Sequence, residues 1–176
     1  MVVDTIYSTL PPFSFIDRNG RPFSEKHVEG KIIVADFFFT RCTTICPRMK
    51  VQMQQLQFKL DDAAFDDVVF LSHTVDPEHD TPEVLDRHAG KLHADTARWK
   101  FLTGKKEDIY RMAVKGYLVP AQEDVLDPDG FLHSEMFVLV DKQKRIRGYY
   151  DGTTAEGMNA IAADIKMLLM EEKILR

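Results

Sequence analysis

Three features of the sequence predict an α/β fold, a central mixed sheet flanked by helices. Strand-like segments alternate with amphipathic helical ones through the middle of the chain. The segment KIIVADFFF (31–39) is β-branched and aromatic with little alternation, the pattern of a strand covered on both faces. Two further strands, 136–141 and 145–152, follow one another directly around K-Q-K. Alternation calls for right-handed crossovers and a parallel core, and the closing pair adds an antiparallel edge.

The elements follow in order. FSFIDRNGRPFS (13–24) reads as two short strands around a D-R-N-G turn, an N-terminal β-hairpin extension ahead of the first core strand. After KIIVADFFF, the segment 47–60 carries Met49, Met53, Leu56 and Leu60 at spacings of four, three and four, so it is an amphipathic helix with Pro47 in its first turn. DVVFLSHTVD (67–76) is a second core strand. Asp80 or Thr81 then caps a helix opened by Pro82 and Glu83. WKFL (99–102) forms a short strand, 105–117 a helix and AQEDVLDPDG (121–130) an acidic loop. The last helix, 154–173, shows Met158, Ile161, Ile165 and Leu168 on one face. This order resembles the layout of a thioredoxin-like fold, enlarged by the early hairpin and the 76–118 region.

The 176 residues suit one domain, taken as 1–176. A net charge of −5 without a basic block excludes general nucleic-acid affinity. MVVDTIYSTL lacks a basic start, Asp4 interrupts any apolar leader, and the longest apolar runs are too short to cross a bilayer. The chain as given is therefore expected to be soluble, without anchor or signal.

Both cysteines, Cys42 and Cys46, lie in one stretch, FFFTRCTTICPRMKVQM (37–53), between the buried strand and the helix that Pro47 opens. A helix N-terminus offers unpaired N–H groups and a positive dipole end, and both stabilise thiolates. Two chemistries use such thiolates, disulfide exchange and soft-metal binding. A C-x-x-C spacing would favour redox exchange, but three residues intervene here. Two thiolates and one imidazole make a soft, low-coordinate set that fits Cu(I), whereas zinc ordinarily takes a fourth ligand. The same pair forms a disulfide if the loop brings the Cα atoms close enough. Met49 and Met53, at helical spacing with Leu56 and Leu60, read as core rather than as copper ligands.

Among the six histidines, His27, His79, His88 and His93 stand in polar stretches and are expected to be solvated. His73 reads as a packed, hydrogen-bonded core residue. His133 differs because it sits at the entry to the 136–141 strand, in DGFLHSEMFVLVD. Asp76 falls at the end of its strand, either as a charge beside the thiol loop or as the cap of the following turn. DDAAFDD (61–67) and the acidic loop before His133 read as solvated segments, the second able to steer a basic partner.

T-R-C-T-T-I-C-P, V-D-P-E-H-D-T-P and H-S-E-M-F-V-L-V-D, in this order, resemble the Sco/SenC family of copper chaperones across roughly residues 10 to 172. Cys42, Cys46 and Pro47 meet the family's C-x-x-x-C-P, His133 its metal histidine, and Asp76, Pro77 and Glu78 its D-P-E element. The resemblance implies a thioredoxin-like fold in which the two cysteines and the histidine bind one copper ion per chain. In thioredoxin-like redox enzymes a proline, normally cis, enters the strand at the place where His133–Ser134 stands here. The implied role is delivery of copper for the binuclear copper centre of cytochrome c oxidase. The implied partner is the oxidase's copper-bearing subunit or another copper protein, and the implied location is the periplasm or cell envelope, membrane-anchored in a full-length form. The absent anchor and His73 in an apolar strand depart from the expected pattern. A thiol–disulfide oxidoreductase that keeps a copper protein's cysteines reduced is the second reading, with Cys42 and Cys46 as its catalytic pair. A peroxide-reducing enzyme ranks third.

Overall fold

The computed structural model describes residues 7–119 and 134–174, with side chains as far as 171. His133 and the acidic loop 121–130 lie outside the described residues. The strands are β1 (Ser14–Asp17), β2 (Pro22–Ser24), β3 (Ile32–Phe38), β4 (Val68–Thr74), β5 (Trp99–Thr103), β6 (Met136–Val140) and β7 (Ile146–Asp151). The helices are α1 (Cys46–Lys59), α2 (Pro82–Lys91), α3 (Lys106–Arg111) and α4 (Ala155–Ile174).

All seven strands join one sheet in the order β2-β1-β5-β4-β3-β6-β7. β3, β4 and β5 run parallel through the α1 and α2 crossovers, as apolar strands separated by helices require. The early hairpin extends one edge through an antiparallel pairing of β1 with β5, and β6–β7 closes the other. Every residue of β3 and of β4 is buried, so these two strands form the floor under the thiol loop. β6 runs antiparallel to β3, with Ile33 opposite Val140 and Ala35 opposite Val138. The entry to β6 therefore lies at the end of β3 that passes into the thiol loop.

Met49, Met53, Leu56 and Leu60 face the core as the spacing predicts, and Met158, Ile161, Ile165 and Leu168 do the same from α4. The expected 105–117 helix divides. α3 ends at Arg111, and Met112–Gly116 widens into a π turn closed by Tyr117 N–H donating to the Met112 carbonyl. The extra residue in that turn accompanies a fully buried Tyr117, whose hydroxyl meets His73.

Of the four histidines expected in solvent, His27, His79 and His93 are exposed. His88 is not. Three residues after buried Leu85 on α2, it turns inward, stacks on Phe38 at 5.4 Å and meets the edge of Phe101 at 5.9 Å. Helical period outweighs the polarity of its sequence neighbours. Burial, followed by Lys50 and Lys91, lowers its pKa to about 4.

Candidate functional site

The thiol loop leaves β3 at Phe39 and enters α1 at Cys46. Ile45 occupies the N-cap and gives no side-chain hydrogen bond, which leaves the Cys46 N–H to donate to the Cys42 sulfur. Pro47, near the start of the helix, has no N–H to lose there. Cys42 and Cys46 are both buried and both free thiols.

Their environments differ. Burial pushes the Cys42 thiol up, but hydrogen bonds from the side chains of Cys46 and Thr44 and from both backbones outweigh it. The result lies below the ordinary thiol value. The Thr44 hydroxyl stands 3.6 Å from the Cys42 sulfur. Burial drives Cys46 up to about 12, reinforced by its hydrogen bond to Cys42. Cys42 is thus the more acidic of the two thiols. The two sulfurs are within hydrogen-bonding reach of each other, as either a shared soft metal or a disulfide requires.

Two carboxylates from the β4–α2 turn clamp this loop. The Arg41 guanidinium donates to the buried Asp76 carboxylate from Nη2 at 2.6 Å and from Nε at 3.2 Å. Asp80, fully buried, accepts from the Thr40 N–H at 3.0 Å, from the Thr40 hydroxyl and from the Thr74 hydroxyl at 2.6 Å. Thr81, not Asp80, caps α2 by accepting from the Val84 N–H. Asp76 thus touches the residue beside Cys42 and also shapes the turn, since its carbonyl accepts from the N–H groups of His79 and Asp80.

Beneath the loop, Asp36 is buried on β3 and accepts from the Ser72 hydroxyl, which in turn accepts from the Trp99 indole N–H at 2.9 Å. Burial raises this carboxyl to about 7, and Ser72 and Lys50 only partly oppose it. Lys50, half-buried on α1, is lowered by burial, while Cys46, Cys42, Asp36 and Asp80 together oppose the shift. Neither Asp36 nor Lys50 stood out as a site residue in the sequence. An acid inside KIIVADFFF was the available signal for the first, and a lysine four residues after Cys46 for the second.

His73 is fully buried, with Nε2 at 3.2 Å from the Tyr117 hydroxyl and its ring stacked on Phe37 at 5.1 Å. It is the packed core histidine expected. Met49 and Met53 are likewise core. Among the described residues no group of three His, Cys, Asp or Glu side chains is arranged to hold a metal ion. The two thiols are the soft-metal donors that the described residues bring together. The described neighbour of His133 is Ser134, buried, with its hydroxyl accepting from the Met136 N–H at 3.2 Å at the entry to β6.

A mixed sheet whose central strand delivers two buried thiols to a helix N-terminus defines a thioredoxin-like thiol protein. The SCO1/SenC family model matches residues 5–170, and the chain belongs to that family. Solved structures carry the same fold. A SCO1/SenC family lipoprotein from Bacillus anthracis str. Ames is 32% identical, with a TM-score of 0.80 over 96% of this chain and 99% of that one. BsSco, a member of the Sco family of cytochrome c oxidase assembly proteins in which a disulfide switch was identified, is 31% identical, with a TM-score of 0.81 over 96% and 98%. Yeast Sco1 with copper bound is 27% identical, with a TM-score of 0.71 over 90% and 89%. No helix among the described residues is long and apolar enough to cross a membrane.

Proposed function

We propose that this chain is a copper-binding metallochaperone in which Cys42, Cys46 and His133 hold one copper ion and release it by ligand exchange to a copper protein. The destination is the binuclear copper centre of cytochrome c oxidase. The whole chain acts as one thioredoxin-like domain, at the cell envelope. The observation that carries the reading is the pair of buried thiols at the start of α1, within hydrogen-bonding reach of each other and held by backbone donors. Family membership supports copper as the cargo, through the copper-bound state of yeast Sco1. The lipoprotein relative supports the envelope. The register of β6 against β3, which carries the segment after His133 to the thiol-loop edge, supports His133 as the third donor. Acquisition of copper displaces the thiol protons, so affinity falls as pH is lowered.

The split between the two thiols favours a second activity at the same site. The Cys42 thiolate attacks a disulfide in a partner and forms a mixed disulfide while one partner thiolate leaves. Cys46 then gives up its proton and attacks the Cys42 sulfur, expelling the second partner thiolate. The partner ends reduced and this chain oxidised.

Anaerobic competition for Cu(I) against a chelator tests the first reading. Wild type is compared with His133→Ala and a Cys42→Ser, Cys46→Ser double variant. One copper per chain is expected, lost without the thiols and weakened without the imidazole. Failure of the wild type to compete sinks the metallochaperone. If His133→Ala keeps full affinity, the third ligand is another residue. Thiol–disulfide exchange that survives in His133→Ala supports the second activity.

A further inference from the structure

Lys50 follows Cys46 by one helical turn, so the two side chains share a face of α1. Its side chain is half-buried. Among the described residues no hydrogen bond or ion pair holds the ammonium to a partner. The groups whose charges act on it are Cys46, Cys42, Asp36 and Asp80, with His88 facing it from α2. The two carboxylates are engaged elsewhere, Asp80 by Thr40 and Thr74 and Asp36 by Ser72. Arg41, the basic residue beside Cys42, is committed to Asp76. Among the described residues, Lys50 is a cation whose charge acts on both sulfurs.

We propose that Lys50 is the counter-cation of the metal-bound dithiolate and biases the site toward Cu(I) over Cu(II). The inference rests on the metallochaperone reading above. Two thiolates around Cu(I) carry one net negative charge, around Cu(II) they carry none, and a neutral further donor changes neither. A fixed positive charge one turn away stabilises the first state and is nearly indifferent to the second. The same field acts on the metal-free thiolates, where it attracts anionic reagents over neutral ones of similar size.

The test compares reduced wild type with Lys50→Met, Lys50→Gln and Lys50→Arg. Anaerobic chelator competition for Cu(I) and a matched competition for Cu(II) give the ratio of affinities. In the metal-free protein, the rate of thiol carboxymethylation by iodoacetate divided by the rate of alkylation by neutral iodoacetamide reads the local field without copper. Loss of one half-buried charge is expected to lower the ratio of Cu(I) to Cu(II) affinity about tenfold, with the alkylation ratio falling several-fold. Lys50→Arg restores both ratios. An equal fall for the two copper states, or an unchanged alkylation ratio in both neutral variants, overturns the proposal. If wild type binds no copper but the alkylation ratio still falls, the metallochaperone reading fails and the bias toward Cu(I) fails with it, leaving Lys50 as a cation for the thiolates alone.

Discussion

The Arg41 guanidinium lies 2.6 Å from the carboxylate of Asp76 and joins the residue before Cys42 to the turn that follows β4. The pair is asymmetric, since Asp76 is buried and Arg41 has a side chain 56% exposed. Together with Asp80 on Thr40, it fixes where the thiol loop starts. The loop's position is therefore set by side chains from the β4–α2 turn as well as by its own backbone.

Removing the exposed partner is expected to cost more, because it strands the buried one. Asp76→Ala removes the carboxylate that receives both Arg41 donors, and Arg41→Ala leaves that carboxylate with an unmatched charge. A double-mutant cycle on urea unfolding should give a coupling of about 1–2 kcal/mol, as for hydrogen-bonded charge pairs with one buried partner. Near-zero coupling would mean that the Arg41–Asp76 pair does not hold the loop.

Asp36 should make stability fall as pH rises. Its carboxyl stands at about 7 in the fold against an ordinary 3.8. Between those values the folded chain keeps a proton that the unfolded chain has released. The stability tied to that proton is full below pH 3.8 and lost as pH climbs to about 7. Asp36→Asn, which preserves an acceptor for Ser72, should flatten that slope. It should also raise unfolding free energy at pH 8 by about 2–4 kcal/mol, the scale of such a shift. Equal slopes for wild type and variant between pH 4 and 7 would show that the carboxyl is ionised throughout.

His73 works in the opposite direction. Burial depresses its pKa from 6.5 to about 3, so the fold holds it neutral where the unfolded chain protonates it. The stability this confers is present above pH 6.5 and is lost as pH falls toward 3. At pH 4 that loss is about 3 kcal/mol from His73 alone. His73→Phe gives up the Tyr117 hydrogen bond at every pH, so the readout is the slope and not the level. Urea midpoints at pH 4 and 7 should differ less in the variant than in wild type. An unchanged difference would move the acid sensitivity to His88.

The arrangement of the sheet was legible because burial leaves a direct trace in sequence. KIIVADFFF reads as a strand covered on both faces and is one, and the Met49-Met53-Leu56-Leu60 spacing reads as a core-facing helix and is one. The thiol pair was legible because both cysteines share one strand-to-helix turn. The clamps were not, because Thr40–Asp80 and Arg41–Asp76 join residues 40 and 35 positions apart that only the parallel β3–β4 register brings together. His88 was misread because its neighbours in sequence are polar while its neighbours in space are Phe38 and Phe101. Lys50 and Asp36 were overlooked for a related reason. A charge in an amphipathic or apolar segment is informative only once the fold shows which other charges it faces.

The entry to β6 can be tested without touching a ligand. Gly152 donates its N–H to the Glu135 carbonyl at 2.7 Å, and a Cβ placed on it would stand 2.9 Å from that same oxygen and 3.1 Å from the Met49 terminal methyl. The carbonyl is backbone held by this bond, so it cannot retreat without giving the bond up. Gly152→Ala should therefore push the Ser134–Met136 segment away from α1 and cost about 1–3 kcal/mol in unfolding free energy, as overpacking in a closed site does. If His133 completes the copper site from this segment, the same variant should weaken Cu(I) binding while the thiols still react at the wild-type rate. A destabilised variant with unchanged copper affinity would place the third donor away from the β6 entry.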